Sequence, residues 1–189
     1  MIKLVGIVGS NAEKSYNRML LKFIASEYSD LFDLELLEIK KIPLFNQSDD
    51  QTASESIQYL NQKIMAADGV LISTPEHNRT IPPALKSTIE WLSFKIHPLK
   101  DKAVAIIGAS YFDLGSSRAQ LHLRQILTAP GVGAYLYPGD EFLLANVKKA
   151  FDKEGQIKDK ETVEFLRELL KNFTQYVQVV TELEKRKES

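Results

Sequence analysis

Residues 2–17 read IKLVGIVGSNAEKSYN, and this stretch decides the fold. Between Ile2 and Val8 only Lys3 is charged, and apolar residues follow one another instead of alternating with polar ones. Such a run suits a strand covered on both faces. Gly9 to Asn17 then form a turn of small hydrogen-bonding residues. Met19, Leu20, Phe23 and Ile24 recur at helical spacing, with Tyr28 one turn beyond, which predicts a helix over about 16–29. A second apolar run at 34–39 completes a strand, helix, strand unit, which calls for parallel pairing.

The alternation continues through apolar runs at 69–74, 103–108 and 133–137. Thr52-Ala-Ser-Glu55 resembles a capping box and predicts a helix over about 53–67, lined by Ile57, Leu60 and Ile64 and stopped by Asp68-Gly69. Pro82-Pro83 opens another, with Leu85, Ile89 and Leu92 on one face and Trp91 closing it against the sheet. A further helix starts near Gly115, carries Leu121, Leu123, Ile126 and Leu127, and ends at Pro130-Gly131. After Asp159, the spacing of Val163, Leu166, Leu170, Phe173, Val177 and Val180 describes a long last helix whose stripe packs on its own sheet, with coiled-coil pairing as the alternative. The expectation is one α/β domain over 1–189, a parallel sheet with helices on both faces, and its least regular connection at 40–51.

Lys and Arg number 24 against 25 Asp and Glu, a balance that supplies no electrostatic footprint for nucleic acid and no polybasic membrane anchor. The sequence has no cysteine, which removes thiolate nucleophiles, disulfides, iron–sulfur clusters and cysteine zinc sites together. Redox chemistry would therefore rest on a bound cofactor. His77, His97 and His122 have no metal-ligand spacing, so no metal is expected. No apolar run approaches the roughly 20 residues that span a bilayer, and Met1 leads into the first strand with no basic leader. The expected address is cytoplasmic.

In open α/β sheets ligands bind beyond the carboxyl ends of the strands, which directs attention to three loops. Loop one, Gly9 to Asn17, places backbone N–H groups at a helix start, with Ser10, Ser15 and Asn17 as donors to an anion such as phosphate. Its plainer reading is a polar turn in which Ser15 caps the helix. The spacing fits neither the P-loop nor the GxGxxG pattern, which weakens ATP and tightly held NAD. Loop two, Thr74-Pro75-Glu76-His77-Asn78, is a proline-stiffened turn that can aim several groups at a planar ligand; otherwise it is a surface connection. A phosphoacceptor aspartate is missing from the end of the third strand, where Ser73 and Thr74 stand. Loop three, Gly108 to Arg118, brings Tyr111 and Phe112 to the same end, either against a heterocycle or buried under a neighbouring loop.

Together these loops resemble the NADPH-dependent FMN reductase family, which includes flavin, quinone, azo and chromate reductases. The likeness runs through Phe151-Asp-Lys-Glu-Gly155 and covers almost the whole chain. Gly9, Ser10, Ser15 and Asn17 match the family's first signature, with Ala12 in place of its usual arginine. Thr74-Pro75-Glu76-His77-Asn78 with Pro83-Ala84-Leu85-Lys86 matches the second, with His77 in place of tyrosine. Gly108-Ala109-Ser110, Gly115 and Arg118-Ala119-Gln120 match the third, where Phe112 and Ser116 stand at usual glycine positions.

The resemblance implies a flavodoxin-like three-layer sandwich with a five-stranded parallel sheet of order 2-1-3-4-5. It implies bound FMN, with Ser10, Ser15 and Asn17 at its phosphate and Tyr16 also among the cofactor-binding residues. Pro75, Glu76, His77 and Asn78 then lie along the isoalloxazine edge, and Ser110, Tyr111 and Gly115 on its opposite side. No side chain is needed as nucleophile or general base, because the flavin carries the chemistry. Electrons would pass from NADPH or NADH to a small acceptor (flavin, quinone, azo compound or metal ion) with ping-pong kinetics, in a homodimer or homotetramer. Ala12 predicts weaker phosphate binding unless Lys14 or Arg18 reaches in, and Arg118 is expected to position its helix or a subunit interface. Phe112 and His77 also leave room for a noncatalytic electron carrier or redox-responsive binding protein, and Ala12 for a fold that has given up FMN.

Overall fold

The computed structural model describes residues 1–188. Its elements follow as β1 (Ile2–Val8), α1 (Tyr16–Glu27), β2 (Phe32–Glu38), α2 (Glu55–Ala66), β3 (Gly69–Ser73), α3 (Pro83–Phe94), β4 (Ala103–Ala109), α4 (Ser117–Leu127), β5 (Tyr135–Leu136), β6 (Phe142–Leu144), α5 (Val147–Ala150) and α6 (Lys160–Glu188). The sheet runs β2-β1-β3-β4-β5 with β6 also on β4, and every pairing is parallel.

Side chains alternate across the sheet, so each strand feeds two cores. Leu4 and Val8 of β1, Leu71 of β3 and Ala103, Ala105, Ile107 and Ala109 of β4 face α1 and α6. Val5, Ile7, Val70, Ile72, Val104 and Ile106 face α2, α3 and α4. The stripe of α6 lies against its own sheet, with Leu166, Leu170, Phe173, Val177 and Val180 buried. Gly69 permits that approach, since a Cβ there would come within 2.8 Å of Val177 Cγ2.

Three expectations change. The strand foreseen at 133–137 is divided: β5 pairs with Ala103–Val104, and β6 takes the same edge of β4 higher up, opposite Ile107–Ala109. Pro138 interrupts the run because it has no N–H for the ladder. The capping box does not form. Asp50 accepts from the Thr52 N–H at 2.9 Å, Thr52 Oγ1 is buried without a partner among the described residues, and α2 starts at Glu55. Trp91 is fully buried, but it holds the irregular connection rather than closing on the sheet: its Nε1–H donates to the Pro43 carbonyl at 2.9 Å and its ring meets Phe45 edge-on at 4.7 Å.

Candidate functional site

The three loops leave the sheet side by side, because each stays bonded to the next strand as it departs. The Gly9 N–H donates to the Ser73 carbonyl at 2.8 Å, Thr74 N–H to Ile107 carbonyl at 3.0 Å, and Ser110 N–H to Leu144 carbonyl at 2.9 Å. Gly9 has to be a glycine for this contact, since a Cβ would lie 2.6 Å from the Ser73 oxygen.

Asn17 ties the loops together. It is only 2 % exposed; its Nδ2–H donates to the Ala109 carbonyl at 2.9 Å, and its Oδ1 accepts from Ser73 Oγ at 2.8 Å and from the Ala109 N–H at 3.0 Å. One amide thus joins α1, β3 and β4 at their site end. Glu76 makes a second tie: its Oε2 accepts from the N–H groups of Arg118 and Ala119 at 3.1 and 3.4 Å, anchoring loop two on the positive end of α4. The Arg118 guanidinium lies 3.7 Å from the same carboxylate, so its side chain also faces this tie.

Loop two turns through a two-residue hairpin. His77 and Thr80 exchange backbone hydrogen bonds of 2.9 and 3.0 Å, and Asn78 and Arg79 both have positive φ, 49° and 65°. This is the type I′ arrangement, for which Asn-Gly is the favoured pair. Thr80 Oγ1 also bonds His122 Nδ1 on α4. Because Arg79 occupies the glycine position, Arg79→Gly is expected to raise stability by about 1 kcal/mol, the left-handed penalty outweighing the flexibility glycine adds to the unfolded chain. Urea unfolding followed by circular dichroism measures this; an unchanged or lower midpoint would show that the turn carries no strain at Arg79.

Loop three has Gly115 at φ 54°, with a Cβ there only 2.6 Å from the Leu143 backbone, and buried Ser116 at φ 70°. The glycine usual at residue 116 thus corresponds to a left-handed backbone. Ser110 Oγ accepts from the Phe112 N–H at 3.3 Å, and Asn146 reaches Asp113 at 2.9 Å. Tyr111 meets Tyr16 edge-on at 5.3 Å with Lys148 Nζ 5.2 Å from its ring centroid, yet it remains 54 % exposed, and Phe112 is 78 % exposed. Burial of this aromatic pair under a neighbouring loop is excluded.

In loop one, Ser15 does cap α1, accepting from the Arg18 N–H at 3.2 Å, while Ser10 Oγ accepts from the Ala12 N–H at 3.3 Å. Both hydroxyl hydrogens stay free to donate. Arg18 lines the cleft beside this loop, but its guanidinium is committed to Glu38, whose hydrogen bond raises its pKa above the usual arginine value. Glu13 pairs with Lys40 at 2.9 Å, which holds its carboxyl below the ordinary range. Lys14 has no partner among the described residues.

The residues present fit a phosphomonoester joined to a flat heterocycle. The N–H groups of Glu13, Lys14, Ser15, Tyr16 and Asn17 find no acceptor among the described residues, an anion-receptive run at the start of α1. Exposed Tyr111 and Phe112 and the rigid turn at Pro75–Asn78 supply surfaces for a ring. A cleft of about 510 Å3 opens beside loop one, lined by Glu13, Ser15, Tyr16, Arg18, Lys22 and Tyr111 among others; no residue of loop two lines it. Among the described residues no group of acidic and histidine side chains is arranged to hold a metal, and no helix is long and apolar enough to cross a membrane.

The sequence singled out the loops but not the ties. Ser73 and Arg18 drew attention in the sequence for other reasons, and Glu38 and Asn146 for none; their contacts with Asn17, Ala12, Arg18 and Asp113 come from distant segments and show only in the structure.

Known proteins resemble this chain in sequence and fold. The chain is 44 % identical over 179 residues to the NADH:(hydroxy)cinnamate reductase subunit CrdA of Vibrio ruber, covering 95 % of this chain and 89 % of that protein. It is 37 % identical to the NADH-dependent flavin reductase subunit 2 of Lactobacillus johnsonii, covering 94 % and 98 % of the two chains. Among solved structures, the NAD(P)H:(acceptor) oxidoreductase FerB of Paracoccus denitrificans superimposes with a TM-score of 0.84 at 28 % identity, over 94 % of this chain and 98 % of its own. The sequence profile that describes NADPH-dependent FMN reductases matches residues 2–149, which contain all three loops, and this chain belongs to that family.

Proposed function

We propose that this protein is an FMN-dependent oxidoreductase that moves electrons from a reduced nicotinamide dinucleotide to a small acceptor. The observation that carries this reading is the convergence of an anion-receptive loop and an exposed aromatic loop on one end of the sheet, pinned together by Asn17. Bound FMN supplies the two-electron chemistry.

The chain's part is to bind and orient. Ser10 and Ser15 offer hydroxyl groups to the phosphate, and Tyr16 and Asn17 contribute backbone N–H groups, since the Asn17 amide is committed elsewhere. Pro75, Glu76, His77 and Asn78 form one rigid wall for the ring; Glu76 acts through its backbone because its carboxylate holds α4. Ser110, Tyr111 and Gly115 form the other wall. NADH is the donor in the names of both relatives above, and their acceptors, flavin and (hydroxy)cinnamate, are flat conjugated molecules. Both are also named as subunits, which supports an assembly of more than one chain; a homodimer or homotetramer belongs to the same reading. A cytoplasmic location belongs to the same reading.

Purified protein is expected to be yellow or to take up FMN, and the flavin to bleach rapidly when NADH is added without oxygen. Steady-state plots against acceptor should give parallel lines, the signature of a ping-pong cycle. Protein that stays colourless and takes up no FMN ends this reading. Flavin that binds but is not bleached by either nicotinamide would instead favour the noncatalytic carrier, to which the exposed Phe112 lends support.

A further inference from the structure

Loop one has Ala12 where its relatives' signature carries an arginine, yet an arginine does act on the loop through its carbonyls. Arg18 stands in the first turn of α1 with a side chain only 12 % exposed. Its Nε and Nη2 donate to the two oxygens of Glu38, at 2.5 and 2.8 Å, and its Nη1 donates to the carbonyls of Ala12 and Glu13, both at 3.0 Å. Glu38 is the last residue of β2, so the clamp is mounted on the sheet.

This bidentate pair spends the guanidinium charge on Glu38, leaving little for an anion. What Arg18 controls is the direction of two peptide groups. A trans peptide is planar, with its N–H opposite its C=O. With the Ala12 and Glu13 carbonyls drawn onto Arg18, the N–H groups of Glu13 and Lys14 face the other way, and neither has an acceptor among the described residues. The Lys40 pair draws the Glu13 carboxylate into an ion pair, easing its repulsion of a nearby anion.

We propose that Arg18, braced by Glu38, is a positioning residue that presets loop one to grip the FMN phosphate through backbone N–H groups in place of the missing side-chain charge at residue 12. The proposal rests on the flavin reading above.

Its test compares FMN with riboflavin, which lacks the phosphate. Dissociation constants for both are measured by flavin fluorescence on full-length wild type, Arg18→Ala, Arg18→Lys and Glu38→Gln, with unfolding midpoints alongside. Arg18→Ala is expected to weaken FMN about tenfold or more and riboflavin less than about threefold. Arg18→Lys, with one nitrogen for four acceptors, falls between.

Glu38→Gln separates positioning from charge by its sign. If the clamp matters, loosening it weakens FMN; if the Arg18 charge itself attracted phosphate, removing the opposing carboxylate would tighten FMN. Equal weakening of both flavins in Arg18→Ala and Arg18→Lys, unchanged FMN affinity, or tighter FMN in Glu38→Gln each overturns the proposal while leaving the flavin reading intact. Wild type that takes up neither flavin overturns both.

Discussion

Asn17→Ala is expected to lower stability by about 3 kcal/mol and to abolish FMN retention through a dilution or gel-filtration step. The substitution strips the Ala109 N–H, the Ala109 carbonyl and the Ser73 hydroxyl of an amide partner in a place that is nearly dry. An ordinary hydrogen bond contributes about 1 kcal/mol net, and a buried group left unpaired costs about 1 to 3 kcal/mol, so three orphaned groups outweigh any entropy that alanine recovers in α1. The flavin effect follows because the same amide joins the starts of α1 and loop three to the end of β3. Asn17→Asp is the informative companion: it keeps the acceptor for Ser73 and Ala109 N–H, loses the donor, and puts a negative charge beside the anion-receptive loop. It should recover part of the stability and none of the FMN. A variant as stable as wild type, or one that holds FMN after Asn17→Ala, would show that the bridge is not what assembles the site.

The three loops of the candidate site were legible in the sequence because their determinants are local. A strand that must be apolar on both faces, as β1 is, leaves an unbroken run, and the turn after it is polar for the same reason that it is exposed. Likewise, α6 announces itself because a single stripe over 160–188 has to meet one face of a sheet. β6 was not legible: three residues give no period, and its strand identity comes from the free edge of β4 that β5 leaves uncovered.

The roles inside the site divide along the same line. Asn17 reads as a phosphate donor when only its neighbours are known, whereas its side chain serves Ala109, 92 residues away. Glu76 reads as part of a flavin wall and is also the cap of α4, 42 residues on. Ser116 reads as a departure from glycine, and the structure supplies the reason glycine is usual there, a left-handed backbone at full burial. Residue type and spacing locate a ligand end of the sheet; the division between residues that touch the ligand and those that aim them is made by contacts across the chain.

Gly108→Ala should show the second large effect, and a second substitution should partly undo it. A Cβ at residue 108 would lie 1.9 Å from Ser116 Oγ, 2.7 Å from the Thr74 carbonyl oxygen and 2.9 Å from Gln120 Nε2. Alanine in a strand ordinarily gains over glycine through the unfolded state, by about 0.5–1 kcal/mol. Here overpacking of a buried junction dominates, and the expected net loss is about 3 kcal/mol, with the start of α4 pushed off β4 and FMN affinity reduced by about tenfold or more. Ser116→Gly removes the closest clash and relaxes a positive φ of 70°, at the cost of one weak bond of 3.3 Å from Gln120. Alone it should be nearly neutral; combined with Gly108→Ala it should recover about 1 kcal/mol and part of the FMN affinity, leaving the Thr74 contact unrelieved. Chemical denaturation and FMN titration of the four proteins close this cycle. Strict additivity, with Ser116→Gly giving the same increment in either background, would mean that Ser116 does not crowd residue 108 as the structure has it.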